Sequence, residues 1–352
     1  MRVNAGPAIV RGFRFSGVSA GLKTVAGTKD LGLIVADAPA AATAVFSANR
    51  VKAAPVHVTM DRIRSGRLQA VVANSGCANS FTGKPGLKLA RDSCALTANE
   101  IGCDAQLIAP SSTGVIGHLF DLQKFGAGVR EAARDLRPDG MEDFARAVMT
   151  TDTHPKMFST SIRIAGADVT IAGVAKGSGM ISPKMATMLA YLVTDAAVSA
   201  PHLRGALRAA LPHSFNAITV DGDMSTNDTV ILMASGAAGN RALSRKDLDV
   251  LNAGVEAVSA ALARELVYDG EGATKLVTVE VKGAKSPADA ERCARQIANS
   301  PLVKTAFFGC DPNVGRILMA AGSSGAMVES DRLVLAIAGV RVAARGALIV
   351  DA

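Results

Sequence analysis

Short aliphatic runs alternate with Ala-rich helical stretches along this chain, and a glycine marks nearly every junction between them. That pattern constrains the fold more than any single motif. Apolar runs of strand length suit buried strands, the Ala-rich stretches suit helices, and glycine supplies the backbone conformations that tight junctions need. The class it predicts is α/β, mixed α+β in detail. Aromatics are 4% of the residues, with no Trp, two Tyr and eleven Phe, so the core must be mostly aliphatic. At 352 residues and 49% apolar, the chain can support two core-bearing units and is too apolar to be disordered.

Particular elements follow. Val71-Val72 leads into the turn-rich Asn74-Ser75-Gly76-Cys77-Ala78-Asn79. Ile162 and Ile164, then Val169 and Ile171, flank Gly166-Ala167-Asp168 and predict a hairpin. Helices are expected over Phe125 to Leu136, over Met141 to Met149 behind Asp139, and from Ser199 to Leu211, where Pro212 stops it. The longest runs from Ser244, a good cap with Asp247 three residues on, to about Tyr268. Ser286-Pro287 and Asp311-Pro312 read as cap-plus-proline starts for helices near 288–298 and 313–321, and the apolar Leu302 to Phe308 between them as a buried strand. After Gly272 the pattern turns from helix to a strand at Leu276-Val281. This divides the chain into a larger domain, 1–275, and a smaller C-terminal α/β domain, 276–352.

Charge and composition exclude several classes. Lys+Arg 38 against Asp+Glu 31 gives +7, a mild, dispersed excess that favours acidic small substrates. The tightest basic run, Arg62, Arg64 and Arg67, has no interleaved aromatics, which argues against nucleic acid. No apolar stretch reaches the roughly 18 residues of a membrane span, and the first twenty residues lack a signal-peptide layout. Five cysteines, an odd number without a CxxC pair, read as reduced thiols in a cytoplasmic protein. The five histidines (57, 118, 154, 202 and 213) never fall at i, i+4, so no zincin-type metal site is expected.

Four segments are dense in Gly, Thr, Ser and Asp: Ser111 to Gly114, Thr150 to Thr153, Lys176 to Asp195, and Asp221 to Thr229. Such residues also build ordinary turns. Lys176-Gly177-Ser178-Gly179-Met180 is not a phosphate loop, because its Lys precedes the glycines and no Lys-Ser/Thr follows. Asp221 to Asn227 imitates the first ligands of a calcium loop, but Thr226 and Leu232 stand where Gly and Glu are required. No GxSxG elbow occurs, and no His stands out as a base. A hydroxyl nucleophile that needs no His remains: a Thr at a new chain start can use its own α-amine. At pH 7 on the order of a tenth of such amines are neutral, against about one in 2500 for an unperturbed Lys. The best context is Ala186-Thr187, in Pro183-Lys184-Met185-Ala186-Thr187-Met188-Leu189, where a small residue precedes a Thr in an apolar run that would exclude water.

The run KGSGMISPKMATMLAYLVTDA resembles the signature of the ornithine acetyltransferase family, the self-processing glutamate N-acetyltransferases of arginine biosynthesis. ANSGCANSFTG, SSTGVIG, TTDTHPK, FNAITVDGDMSTNDT, YDGEGATK and SPLVKTAFFGCDPNVGRI agree in order and spacing, so the resemblance covers roughly residues 4 to 345. It implies a DmpA/ornithine-acetyltransferase-like fold, N-terminal-nucleophile-like after a cut between Ala186 and Thr187. The cut would leave an α chain (1–186) and a β chain (187–352) in association, as a dimer of αβ units. Thr187 would take the acetyl group of N-acetylornithine and pass it to glutamate in a ping-pong exchange without a required cofactor or metal; some members also use acetyl-CoA. Thr113 and Gly114 would form the oxyanion hole, where one donor is typically worth about 2.7–4 kcal/mol. Thr153, Lys176 and Glu271 would hold the amino-acid substrate, Lys176 on a carboxylate and Glu271 on an ammonium. Asp221 to Asp223 and Asn227-Asp228 read as a supporting turn, and Cys77 as no nucleophile.

Family members usually run some tens of residues past the point where this chain stops, and that tail adds a late Asn and Thr to the substrate pocket. Without them, each missing hydrogen bond to substrate would weaken binding by roughly 1–3 kcal/mol. Two other functions fit the same residues: a related self-processing aminopeptidase or amidase that gives its acyl group to water, and a truncated, silent paralogue that only binds amino acids.

Overall fold

The computed structural model describes residues 1–182 and 188–349, and the chain divides into two compact units, Met1–Glu271 and Gly272–Ala352. The first unit holds nine strands among its described residues. They are β1 (Asn4–Ala5), β2 (Phe13–Val18), β3 (Leu31–Phe46), β4 (Arg67–Asn74), β5 (Ile108–Ser112), β6 (Lys156–Ile164), β7 (Ala167–Lys176), β8 (Leu189–Thr194) and β9 (Thr229–Ala234). They pair in the order β1-β6-β7-β8-β9-β3-β4-β5, with β2 also on β3. Among the described residues only β4–β5 and β8–β9 are parallel pairs. The helices are α1 (Ala54–Arg62), α2 (Gly83–Ile101), α3 (Leu122–Arg134), α4 (Met141–Val148), α5 (Ala200–Ala210) and α6 (Arg245–Tyr268). The expected mixed α/β class is borne out.

Strand alternation builds the layers. Along β8, Ala190 and Leu192 face one way with Val230 and Leu232 of β9, and they pack on Leu203 and Leu207 of α5 and Val258 and Leu262 of α6. The alternate residues Leu189, Tyr191, Val193, Ile231 and Met233 face a second core, shared with Phe13, Phe15, Ile34 and Val71 and with Phe144 of α4. On the far side of β3 and β4, Leu31, Leu33, Val35, Ala70 and Val72 meet a third core under α1, α2 and α3. The first unit is therefore layered helix, strand, strand, helix. β3 serves both strand layers: it breaks register between Val35 and Ala40, pairing β2 before the break and β9 after it.

In the second unit, α7 (Pro287–Asn299), α8 (Pro301–Phe308) and α9 (Val314–Gly322) precede a three-stranded antiparallel sheet, β10 (Val334–Ile337), β11 (Val340–Ala344) and β12 (Ala347–Leu348). Among the described residues no helix is long and apolar enough to cross a membrane.

Several local expectations hold. Ser244 and Asp247 form a capping box at the start of α6, and Ser286 caps α7 with Pro287 in its first turn. The β6–β7 hairpin turns one position earlier than expected, at Ala165-Gly166, where both residues take positive φ. Others are overturned. Leu302 to Phe308 is the helix α8, not a strand, because Ser300 caps it through the Val303 N–H and Pro301 opens it; only Val303 and Ala306 are buried. Leu276 to Val281 forms no strand, although Val279 and Val281 pack on the second unit's core. The helix after Asp311-Pro312 starts at Val314 with Asn313 as its cap, since the Asn313 side chain accepts from the Arg316 N–H. Helix α4 starts behind Gly140, and Asp139 pairs instead with Arg137 at 3.4 Å.

β2 and α4 touch through Gly17, where an added Cβ would lie 2.0 Å from the Asp143 carbonyl oxygen. Backbone cannot yield there as a side chain can. Gly17→Ala is expected to destabilise the first unit by about 1–3 kcal/mol in equilibrium urea unfolding; an unchanged midpoint would contradict this packing.

Candidate active site

β4 and β5 run parallel and end level, Asn74 beside Ser112. The chain beyond β5 turns back at Thr113-Gly114 onto the loop that follows β4. Gly114 sits at φ +127, and a Cβ there would fall 2.3 Å from the Gly76 carbonyl carbon, so glycine is required. The Thr113 N–H donates to the Asn74 carbonyl (3.0 Å), the Val115 N–H to that of Gly76 (3.2 Å), and the Ala78 N–H to that of Val115 (3.0 Å). Side chains brace the same turn. Asn74 Nδ2 donates to the Cys77 carbonyl, Ser112 Oγ to Asn74 Oδ1, and Asn227 Nδ2 to the carbonyls of both Ala78 (2.7 Å) and Ser112 (2.8 Å). Gly114 is an exposed residue, and its N–H has no acceptor among the described residues.

Lys176, the last residue of β7, is buried, and the β7–β8 register sets it opposite Leu189. Its Nζ donates to Thr150 Oγ1 at 2.8 Å and to Thr113 Oγ1 at 3.2 Å. Burial pulls its pKa below the usual lysine value, against the attraction of Asp152. Because the Thr113 oxygen accepts from Lys176, its own O–H remains to be donated elsewhere.

Beneath lies a buried ion cluster. Lys156 Nζ, fully enclosed, reaches Asp152 Oδ1 at 2.7 Å and Asp269 Oδ2 at 2.5 Å. The Asp152 carboxylate also accepts the N–H groups of Gly177 (2.6 Å) and Thr150 (3.0 Å), and that of Asp269 the Thr153 N–H and hydroxyl. Burial alone would raise both carboxyls. The charges of Lys176 and Lys156 overcome it at Asp152, and hydrogen bonds from Lys156 and Thr153 overcome it at Asp269, so both lie below the usual carboxylate range.

Of the residues singled out in the sequence, Thr113, Gly114 and Lys176 come together. Thr153 does not reach Lys176; its hydroxyl is taken by Asp269 and by His154 Nδ1 (2.9 Å), and Thr150 stands at the lysine instead. Glu271 enters from beyond α6. Its N–H donates to the Ser178 carbonyl at 2.8 Å, and Gly179 packs so closely that a Cβ there would lie 2.6 Å from the Glu271 carboxyl carbon. Ala186 and Thr187 lie outside the described residues. On one flank of that segment the Asp221 carboxylate accepts the N–H groups of Met180 and Ile181, and on the other the Thr229 N–H donates to the Met188 carbonyl (3.1 Å). Burial pushes the Cys77 thiol up, which disfavours a thiolate. Sequence reading missed Thr150, Asp152, Lys156, Asp269 and Asn74 as site builders, while Asn227 lies in the turn it expected to support the site. Thr150 and Asp152 lie inside a dense segment and Lys156 three residues beyond it, but the role of all five is visible only in what they bond.

The ArgJ family model matches residues 14–351. The arginine biosynthesis bifunctional protein ArgJ of Geobacter sulfurreducens is 51% identical over 339 residues, covering 96% of this chain and 86% of that protein. Its counterpart from Symbiobacterium thermophilum is 49% identical over 329 residues, covering 92% and 81%. A solved ornithine acetyltransferase from Mycobacterium tuberculosis, complexed with ornithine, is 33% identical with a TM-score of 0.48, covering 53% of this chain and 98% of its own.

Replacing Lys156 by Met strands two buried carboxylates and should cost about 3–5 kcal/mol at neutral pH. The folded pKa values of Asp152 and Asp269 are depressed, so the stability they contribute is present above their unfolded pKa of about 3.9 and is lost as pH falls through the folded values. Urea unfolding across pH should therefore show the gap between wild type and Lys156→Met narrowing in acid. A gap that widens in acid would refute the assignment.

Proposed function

The chain belongs to the ArgJ family and is an acetyltransferase of arginine biosynthesis, and we propose that Thr187, freed by a cut after Ala186, is the nucleophile that carries its acetyl group. Thr187 first attacks the carbonyl carbon of Ala186, which converts the peptide bond to an ester that water then opens. The α-amine so released takes the Thr187 hydroxyl proton when that oxygen attacks the acetyl carbonyl of N-acetylornithine. Ornithine leaves with the proton, glutamate enters, and its amine takes the acetyl group by the reverse steps. Acetyl-CoA can serve as a second donor in the same scheme, and no resident cofactor is needed.

The observation that carries this reading is the Thr113–Gly114 turn. It presents a hydroxyl already accepting from Lys176, and so able to donate its own proton, beside a backbone N–H without an acceptor among the described residues. Two such donors suit the oxyanion that forms at each acyl-transfer step, including self-cleavage. Lys176 supports the hole through Thr113 and offers positive charge to a substrate carboxylate, Glu271 offers a carboxylate to the ornithine side-chain ammonium, and Thr153 shapes the rim next to Asp269. We assign the working form as two αβ pairs, a heterotetramer, in the cytoplasm, where its amino-acid substrates are found.

A denaturing gel tests the nucleophile. Wild type should give two fragments, 1–186 and 187–352, and Thr187→Ala one intact band; a single band for both removes the assignment. Thr113→Val should lower kcat by about 10²- to 10³-fold while KM changes little, and an unaltered kcat would take Thr113 out of the hole. Product analysis separates transfer from hydrolysis: N-acetylglutamate should form only with glutamate present, whereas acetate released at a rate indifferent to glutamate would indicate an amidase.

A further inference from the structure

The two substrates of the proposed reaction end in opposite charges. N-acetylornithine carries a side-chain ammonium, whereas glutamate carries a side-chain carboxylate. Glu271 suits the first and repels the second, so a site that serves both needs a cation beyond the one on the α-carboxylate they share. Three lysines gather round Asp152. Lys156 is already neutralised between Asp152 and Asp269. Lys176 stands at Thr113 and is read as the group on the shared carboxylate. Lys23, the third, has no part in that scheme.

Lys23 is half-buried in the loop between β2 and β3, and that loop is pinned. The carboxylate of Asp30, buried just before β3, accepts the N–H groups of Ala20 (2.6 Å), Leu22 (2.6 Å) and Lys23 (2.9 Å), while its carbonyl takes the Ser75 N–H (2.8 Å). The Lys23 stem lies on Gly76, where an added Cβ would meet its Cγ at 3.1 Å. Gly76 is also the residue on which Gly114 rests, so the stem runs beside the oxyanion turn. An ammonium has three N–H donors. Lys23 uses one on the Lys29 carbonyl (2.9 Å) and Lys176 two on threonine hydroxyls, and neither forms an ion pair among the described residues. Burial pulls both below the usual lysine value, against the attraction of Asp30 and Asp152 at Lys23 and of Asp152 at Lys176, and Lys176 lies in the field of Lys23. Two like charges removed from water, neither ion-paired, are stabilised by an arriving anion. We propose that Lys23 is a specificity-determining residue that receives the side-chain carboxylate of glutamate, while Lys176 holds the α-carboxylate that both substrates share. This rests on the reading of Lys176 as a group that faces substrate. N-acetylornithine offers nothing to Lys23, and its ammonium turns to Glu271 instead. No bond is made or broken at Lys23; it selects which amine reaches the acetyl group.

Full-length Lys23→Gln, Lys23→Met and Lys23→Arg are compared with wild type in acetyl transfer from N-acetylornithine, with glutamate or glutamine as acceptor. Glutamine matches glutamate in size but carries no side-chain charge. Both neutral variants should lose about tenfold to a hundredfold in kcat/KM for glutamate, chiefly through KM. Their kcat/KM for glutamine and KM for N-acetylornithine should move by less than about twofold. Lys23→Arg keeps the charge and should keep most of the preference for glutamate. Equal losses with glutamate and glutamine overturn the proposal and mark a structural role. An unchanged kcat/KM for glutamate overturns it outright. A matching rise in KM for N-acetylornithine overturns it too, because Lys23 would then read the shared α-carboxylate. Calorimetric binding to Lys176→Met tests the premise separately, since that variant should bind ornithine and glutamate more weakly alike. If neither affinity moves, the reading of Lys176 has failed whatever the Lys23 variants show, and the proposal with it.

Discussion

The site depends on one buried ammonium. Lys156 lies between Asp152 and Asp269, and those two carboxylates come from segments more than a hundred residues apart in sequence. Removing three ionic groups from water is costly, and their mutual attraction offsets it only where the remaining lone pairs are also satisfied. Here they are: Asp152 accepts backbone N–H groups from both Thr150 and Gly177, and Asp269 accepts two donors from Thr153. One cation thereby holds the Thr150 loop, the end of β7 and the end of α6 in register. Lys176 sits one residue before Gly177, and Glu271 two residues after Asp269, so the groups proposed to face substrate are the immediate neighbours of the groups that are locked.

The oxyanion turn is fixed by different means, chiefly close backbone approach. Gly114 can lie on the Gly76–Cys77 peptide only because it has no Cβ, and the amides of Asn74 and Asn227 occupy carbonyls that would otherwise be unsatisfied beneath it. Both asparagines donate through Nδ2 and both accept through Oδ1, Asn74 from Ser112 and Asn227 from Thr226. A turn braced in this way, with the Gly114 N–H left without an acceptor among the described residues, is preorganised to stabilise charge as it develops. Lys176 joins the two constructions, since its Nζ spans from Thr150 above the ion cluster to Thr113 in the turn.

How far this was legible in the sequence depended on the range of each interaction. Ser244 with Asp247, and Ser286 with Pro287, announce helices because a cap satisfies donors within one turn, and both were readable. Ser300-Pro301 carries the same signal, but the apolar run after it suggested a strand; two buried positions three residues apart, Val303 and Ala306, suffice to seat a short helix. Thr113, Gly114 and Lys176 were legible through motifs and do converge. Lys156 was not, because nothing local to a lysine at the start of a strand shows that it is buried until its partners at 152 and 269 are known. Thr150 and Thr153 could not be ranked from their spacing either: the loop geometry decides which hydroxyl meets Lys176, and Thr150 does.

Two carboxyls near Lys176 are pushed in opposite directions. Two lysine charges and the Gly177 N–H overcome burial at Asp152 and hold it down, while burial at Asp228 prevails and raises it. Opposed shifts of this kind separate roles that chemically identical groups can take.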